Sequence, residues 1–245
     1  MSDTHSPAAP PAVPLPGPDG AAAPEPGPEP EPEGLPLRLG ETAALLGEYR
    51  WIENALYGVV GSWVADIPAP SVQLYLDAQS MRHAWHAELW AERLPVLTGA
   101  DPDGLSVPSA RTSSLFSSLS GLSGASATSG PGWSWPPDDE QRPIGALPRL
   151  AGLYRVVLPR LVVSYQRHLR ATRIVTDAPV VRALRLVLND EIEDWQAGER
   201  IVQRLVNRPH DVVAVYQFQQ GLEAALVAAG AGSGLVDLPR SVPDE

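Results

Sequence analysis

Two of the joins between the long helical patterns of this chain are short enough to force hairpins, while the third spans roughly fifty residues. Four patterns of apolar residues at helical spacing cover about 41–65, 70–94, 148–176 and 178–206. The first stops at Asp66-Ile67-Pro68-Ala69-Pro70, because proline cannot continue a helix. The fourth starts after Asp177, a good N-cap, with Pro179 tolerated in the first turn. Short joins make each pair an antiparallel hairpin. The long tract between the pairs can run the length of the assembly, so two hairpins and one crossover are expected rather than up-down-up-down. The expectation is an all-α four-helix bundle, with a shorter fifth helix over about 211–229 capping it.

The inward stripes can be read from the spacing. In the fourth pattern Val181, Leu184, Leu188, Glu191, Trp195, Gly198, Val202 and Leu205 alternate steps of three and four. The first pattern shows Leu45, Tyr49, Ile52, Leu56, Val59 and Trp63. The third shows Leu150, Leu153, Val157, Leu161, Ser164, His168 and Val175, with a kink expected at Pro159.

Outside these stripes the chain changes character. Residues 1–38 are rich in Pro, Ala, Glu and Gly, and proline removes backbone donors while little apolar surface offsets ordering entropy, so a disordered tail is expected. The domain plan is then 1–38 tail, 39–97 first hairpin, 98–143 irregular crossover, 144–208 second hairpin, and 209–245 a short helix and disordered C-terminus. Trp133 and Trp135 in the crossover pin that loop to the bundle or dock a partner.

Composition excludes several classes. With no cysteine there is no disulfide scaffold, thiolate zinc site or cysteine nucleophile. A net charge of −11, with −5 carried by residues 1–38, argues against general nucleic-acid binding. No basic, apolar leader and no membrane-length apolar run are present, which fits a cytoplasmic protein. Phosphate-binding glycine loops, Gly-x-Ser-x-Gly elbows and zinc-finger spacings are absent. Arginines 149, 155, 160, 167, 170 and 173 stripe the third pattern, either as a solvated face pairing with Glu193, Asp194 and Glu199 or as a surface for an acidic partner.

The polar residues on the inward faces are the informative ones. In Gln79-Ser80-Met81-Arg82-His83-Ala84-Trp85-His86, the residues Gln79, His83 and His86 share the line of Val72, Leu76 and Trp90, whereas Ser80 falls on the other side. Glu53 lies on the line of Leu46, Tyr49, Leu56 and Val60. Glu53 stands thirteen residues before residue 66, where the first turn begins, and His83 thirteen after residue 70, where it ends, so the two should be level. By the same measure Glu191 is level with Ser164, and His168 sits about one turn, or 5.4 Å, away.

At these positions the chain resembles the ferritin-like carboxylate proteins, which carry a Glu on two helices and Glu-x-x-His on the other two. The resemblance covers roughly 41–206 without the crossover. It implies Glu53, His83 or His86, and Glu191 as metal ligands, with iron or manganese as the metal, although zinc suits such a mixed set equally. The residues by themselves imply no cofactor. The pattern departs at Ser80, three before His83, at Asp194, where a histidine is expected, and in the third helix, which has no Asp or Glu.

Two readings of the layer remain open. In one, Arg82 neutralises Glu53 or Glu191 in a retired site, with Gln79, Ser164, His168 and Asp194 completing a structural polar layer, and the protein is structural or regulatory rather than an enzyme. In the other, a non-standard His/Glu set supports a metal-dependent oxidase or hydroxylase. A protein partner or homo-oligomer is compatible with either reading.

Overall fold

A computed structural model describes residues 37–67, 69–96, 101–120, 146–173, 175–230, 232 and 234–239, all within one compact unit. Every regular element among them is helical. The elements are α1 (Leu39–Trp63), a 3-10 turn (Val64–Asp66), α2 (Pro70–Ala91), α3 (Pro102–Leu105), α4 (Ala110–Ser120), α5 (Ala146–Gly152), a π turn (Leu153–Val157), α6 (Leu158–Ala171), α7 (Ala178–Leu205) and α8 (Pro209–Ala228). No helix among the described residues is long and apolar enough to cross a membrane. The expectations for the tail fall, up to residue 36, outside the described residues, as do those for Trp133 and Trp135.

Helices α1 and α2 form the first hairpin. Glu53 meets His83, and Ser80 donates to the Tyr57 carbonyl oxygen at 2.9 Å, so positions rise along α1 as they fall along α2. Ser80 is therefore buried, not outward as its spacing predicts: it occupies the space left by Gly61, where an added Cβ would lie 2.9 Å from its Oγ. The α6–α7 pair is joined by residues 172–177. Just before α6, Tyr154 in the π turn packs its ring on Gly198 of α7, where a Cβ would come within 2.0 Å of the ring. Across the two pairs, Tyr75 and Arg82 reach Asp194 while His86 reaches Asp190, so α2 and α7 run antiparallel.

The kink expected at Pro159 takes the form of the π turn. Proline has no N–H to return to the carbonyl four residues back. The chain widens instead, and Leu158 N–H bonds to the Leu153 carbonyl, five residues back. One extra residue rotates everything downstream by about 100°.

Three other segments depart from expectation. The tract 98–143 is not wholly irregular, since α3 and α4 lie along α1. There the Leu105 carbonyl sits where a Cβ on Gly47 would be, Arg50 pairs with Asp103 at 2.8 Å, and Phe116 meets Trp51 edge-on at 5.4 Å. Helix α6 ends at Ala171, because Thr172 turns extended and bonds back to the Leu169 carbonyl, and this leaves Val175 exposed. The described part of the C-terminus is packed: Leu235 and Val236 are buried, and both of their N–H groups donate to Ser164 Oγ, at 2.8 and 2.9 Å. Helix α8 lies against α5, where Phe218 and Leu222 fill the space over Gly152.

Candidate metal centre

Four helices bring polar groups to one level in the core. Helix α1 supplies Glu53, α2 supplies His83 and His86, α6 supplies Tyr165 and α7 supplies Glu191. All five side chains are fully buried. One ligand atom from each of Glu53, His83, His86 and Glu191 lies within 4.8 Å of all the others.

The contacts define the geometry. His83 Nδ1 is 2.7 Å from Glu53 Oε2 and 3.3 Å from Glu191 Oε1. His86 Nδ1 is 3.5 Å from Glu53 Oε2 and 3.2 Å from Glu191 Oε1. Both imidazoles thus turn Nδ1 toward two carboxylates. Glu53 is well supplied, since its other oxygen accepts from the Tyr165 hydroxyl at 2.5 Å. Glu191 is not: its Oε1 lies 3.3 and 3.2 Å from the two Nδ1 atoms, within reach of charge attraction, but these contacts do not meet hydrogen-bond geometry and neither of its oxygens has a partner that does. His86 Nδ1 and His83 Nε2 are orphaned as well. Groups this deep are normally paired, and an unpaired one costs about 1–3 kcal/mol.

Protons can balance the charge in the absence of a cation. Burial pushes His83 down, but Glu191 and Glu53 more than reverse this and raise it to about 9. His86, also opposed by burial, is raised to about 11 by the same two carboxylates. Burial pushes Glu53 up, and the two histidines carry it down to about 2. In the metal-free quartet both imidazoles therefore favour the protonated form.

The remaining residues of the expected layer separate. Arg82 does not neutralise Glu53 or Glu191. Its guanidinium faces Asp194 through Nε at 3.0 Å and through NH2, and Asp194 also accepts from the Tyr75 hydroxyl at 2.9 Å. The reason is position: Arg82 flanks the inward line and keeps 35% of its side chain exposed, which spares the guanidinium full desolvation. Gln79 accepts from Tyr154 at 2.6 Å. Ser164 leaves the layer for the C-terminal segment. His168 is buried beside Tyr49, with ring centroids 5.6 Å apart and neither ring nitrogen hydrogen-bonded, and burial lowers it to about 4. Of the arginine stripe, Arg155 pairs with Glu199, as expected, while Arg149 pairs with Asp66 and Arg160 with Glu223.

Tyr165 and Asp190 are absent from the sequence reading. Leu161, Ser164, Tyr165 and His168 are all buried on one arc of α6, and of the two middle positions it is Tyr165 whose side chain reaches Glu53. Steps of three and of four from Leu161 both reach that arc, so spacing alone does not choose between positions 164 and 165. Asp190 stands next to Glu191 and reaches His86 Nε2 at 3.2 Å.

The chain matches no family model, no curated protein and no solved structure.

The donor set could hold a single divalent ion. Tetrahedral ligation at about 2.0–2.2 Å places ligand atoms about 3.2–3.6 Å apart. Three of the four His-to-Glu separations, 3.2, 3.3 and 3.5 Å, lie in that range, and the fourth is a 2.7 Å hydrogen bond that metal binding would open. Two carboxylates cancel the charge of one dication, and neutral imidazoles complete the set.

Proposed function

We propose that the chain is a ferritin-like four-helix protein whose carboxylate centre is reduced to one divalent-cation site with a structural or regulatory role. The fold half of this reading is supported by two helix pairs, the antiparallel run of α2 and α7, and a polar layer to which α1, α2, α6 and α7 each contribute. The reduction is supported by charge. Where a two-metal centre needs further carboxylates, α6 offers the Tyr165 hydroxyl, so two anions remain and balance one dication.

The observation that carries the metal is Glu191, a fully buried carboxylate with no hydrogen bond to either oxygen, facing two imidazole nitrogens. Glu53, His83, His86 and Glu191 would hold the ion, with Nδ1 as the donor of each histidine. Tyr165 holds the second oxygen of Glu53 and so fixes the face it turns inward. Four protein ligands without exposed surface suit a closed structural site better than a catalytic one, which keeps a position open. Zinc, iron and manganese all suit the mixed donor set, so the residues leave the choice among them to availability.

The test is elemental analysis of chelator-stripped protein after loading with Zn(II), Mn(II) or anaerobic Fe(II). One ion per chain is expected, retained through gel filtration and lost in Glu191→Gln. Absence of stoichiometric metal with all three ions would overturn the proposal.

A further inference from the structure

The two histidines of the quartet are held differently. His83 directs Nδ1 at both carboxylates, while its Nε2 is buried with no hydrogen-bond partner. His86 also directs Nδ1 inward, but its Nε2 lies 3.2 Å from Asp190 Oδ2. Asp190 precedes Glu191 on α7, so one turn of helix supplies both a carboxylate facing the quartet and a carboxylate behind one of its histidines. Unlike the quartet, Asp190 keeps 26% of its side chain exposed. It lines an open depression of about 440 Å³ together with Tyr75, Arg82, Asp194 and Arg200.

Resting on the single-cation reading above, we propose that Asp190 is a positioning residue of the centre, holding His86 with Nε2–H outward and the Nδ1 lone pair toward the ion. An imidazole donates one ring nitrogen to a cation only if its proton sits on the other, and a hydrogen-bond acceptor behind the ring fixes both the tautomer and the ring plane. Asp194 cannot substitute, because Arg82 and Tyr75 occupy its oxygens. Asp190 also ties the buried ion to solvent, because the depression reaches the outer side of this carboxylate while the four ligands stay sealed.

Titration of the stripped full-length protein with Co(II), whose visible bands report tetrahedral ligation, tests this. Asp190→Ala should weaken Co(II) binding by about 10–100-fold and alter the visible spectrum. Asp190→Asn, whose Oδ1 still accepts from Nε2–H, should recover most of the affinity and the wild-type bands. Should Asp190→Ala lose its helical circular dichroism, Asp190→Ser, too short to reach His86, takes its place. An unchanged spectrum and affinity within twofold for Ala or Ser would overturn the assignment. So would an Asn variant as weak as Ala, since Asp190 would then act through charge and not through position. Failure of the wild-type chain to bind Co(II) would instead remove the single-cation reading itself, and this inference with it.

Discussion

Two polar clusters join α2 to α7, and they solve the problem of buried charge in opposite ways. The Arg82–Asp194 cluster is balanced by its own residues: a fixed cation meets a fixed anion, Tyr75 donates to the same carboxylate, and part of the guanidinium stays in water. The Glu53–His83–His86–Glu191 quartet lies next to it along α2 and holds two acids without a permanent cation. Its neutrality has to come from outside, as two protons or one metal ion. The lesson is that an arginine one residue from a buried acid does not necessarily serve it. Arg82 takes the partner that lets it keep solvent, and the deeper site is left dependent on what it binds.

The largest expected difference between the clusters is in the stripped protein. Glu53→Ala leaves His83 and Tyr165 buried without their acceptor and should cost about 3–5 kcal/mol, whereas Arg82→Ala, at a partly exposed pair whose Asp194 keeps the Tyr75 hydroxyl, should cost about 1–2 kcal/mol. Urea denaturation of both variants measures this, and equal costs would erase the distinction.

Next in size is the response to metal. At a free Zn(II) concentration a hundred times Kd, the wild-type protein should gain about 2.7 kcal/mol, or roughly 5–10 °C in Tm. Arg82→Met should keep that gain, and Glu191→Gln should lose it. The protonated form makes a companion test. His83 and His86 are raised above their ordinary 6.5, so their contribution is complete below pH 6.5 and is lost as pH rises through about 9 and then 11. Stripped protein should therefore weaken on the alkaline side, and loaded protein, whose ligands have already given up those protons, should not. Parallel pH profiles for the two forms would argue against metal at the quartet.

The smallest effect sharpens the comparison with a third buried histidine. His168 has no carboxylate in hydrogen-bonding reach, and burial lowers it to about 4. Its folded pKa lies below the unfolded 6.5, so the unfolded chain binds the extra proton and stability falls as pH drops from 6.5 toward 4. The loss should be on the order of 1 kcal/mol between pH 6.5 and 5.5, and His168→Phe should flatten that part of the profile in chemical denaturation. An unchanged slope would mean that His168 has a partner when protonated.

Helix periodicity and turn chemistry made much of this protein legible from its residues alone. The apolar stripes of α1 and α7, the proline-limited start of α2 and the inward line of Gln79, His83 and His86 follow from local rules that operate within a few residues. The levels of Glu53 and His83 follow too, because a short turn makes depth a matter of counting. Tertiary structure decided what counting cannot reach. Positions 164 and 165 share the buried arc of α6, and packing gave Tyr165 to Glu53 at the centre and Ser164 to the C-terminal segment. The space over Gly61 turned Ser80 inward. The choice of Arg82 for Asp194 depended on how far the guanidinium could remain in water while reaching across to α7, and the buried His86 met an Asp190 that itself stays partly in water. Residue type and spacing determine which groups can be buried together. Which of them pair is decided by desolvation and distance between helices, and those exist only once the helices have packed.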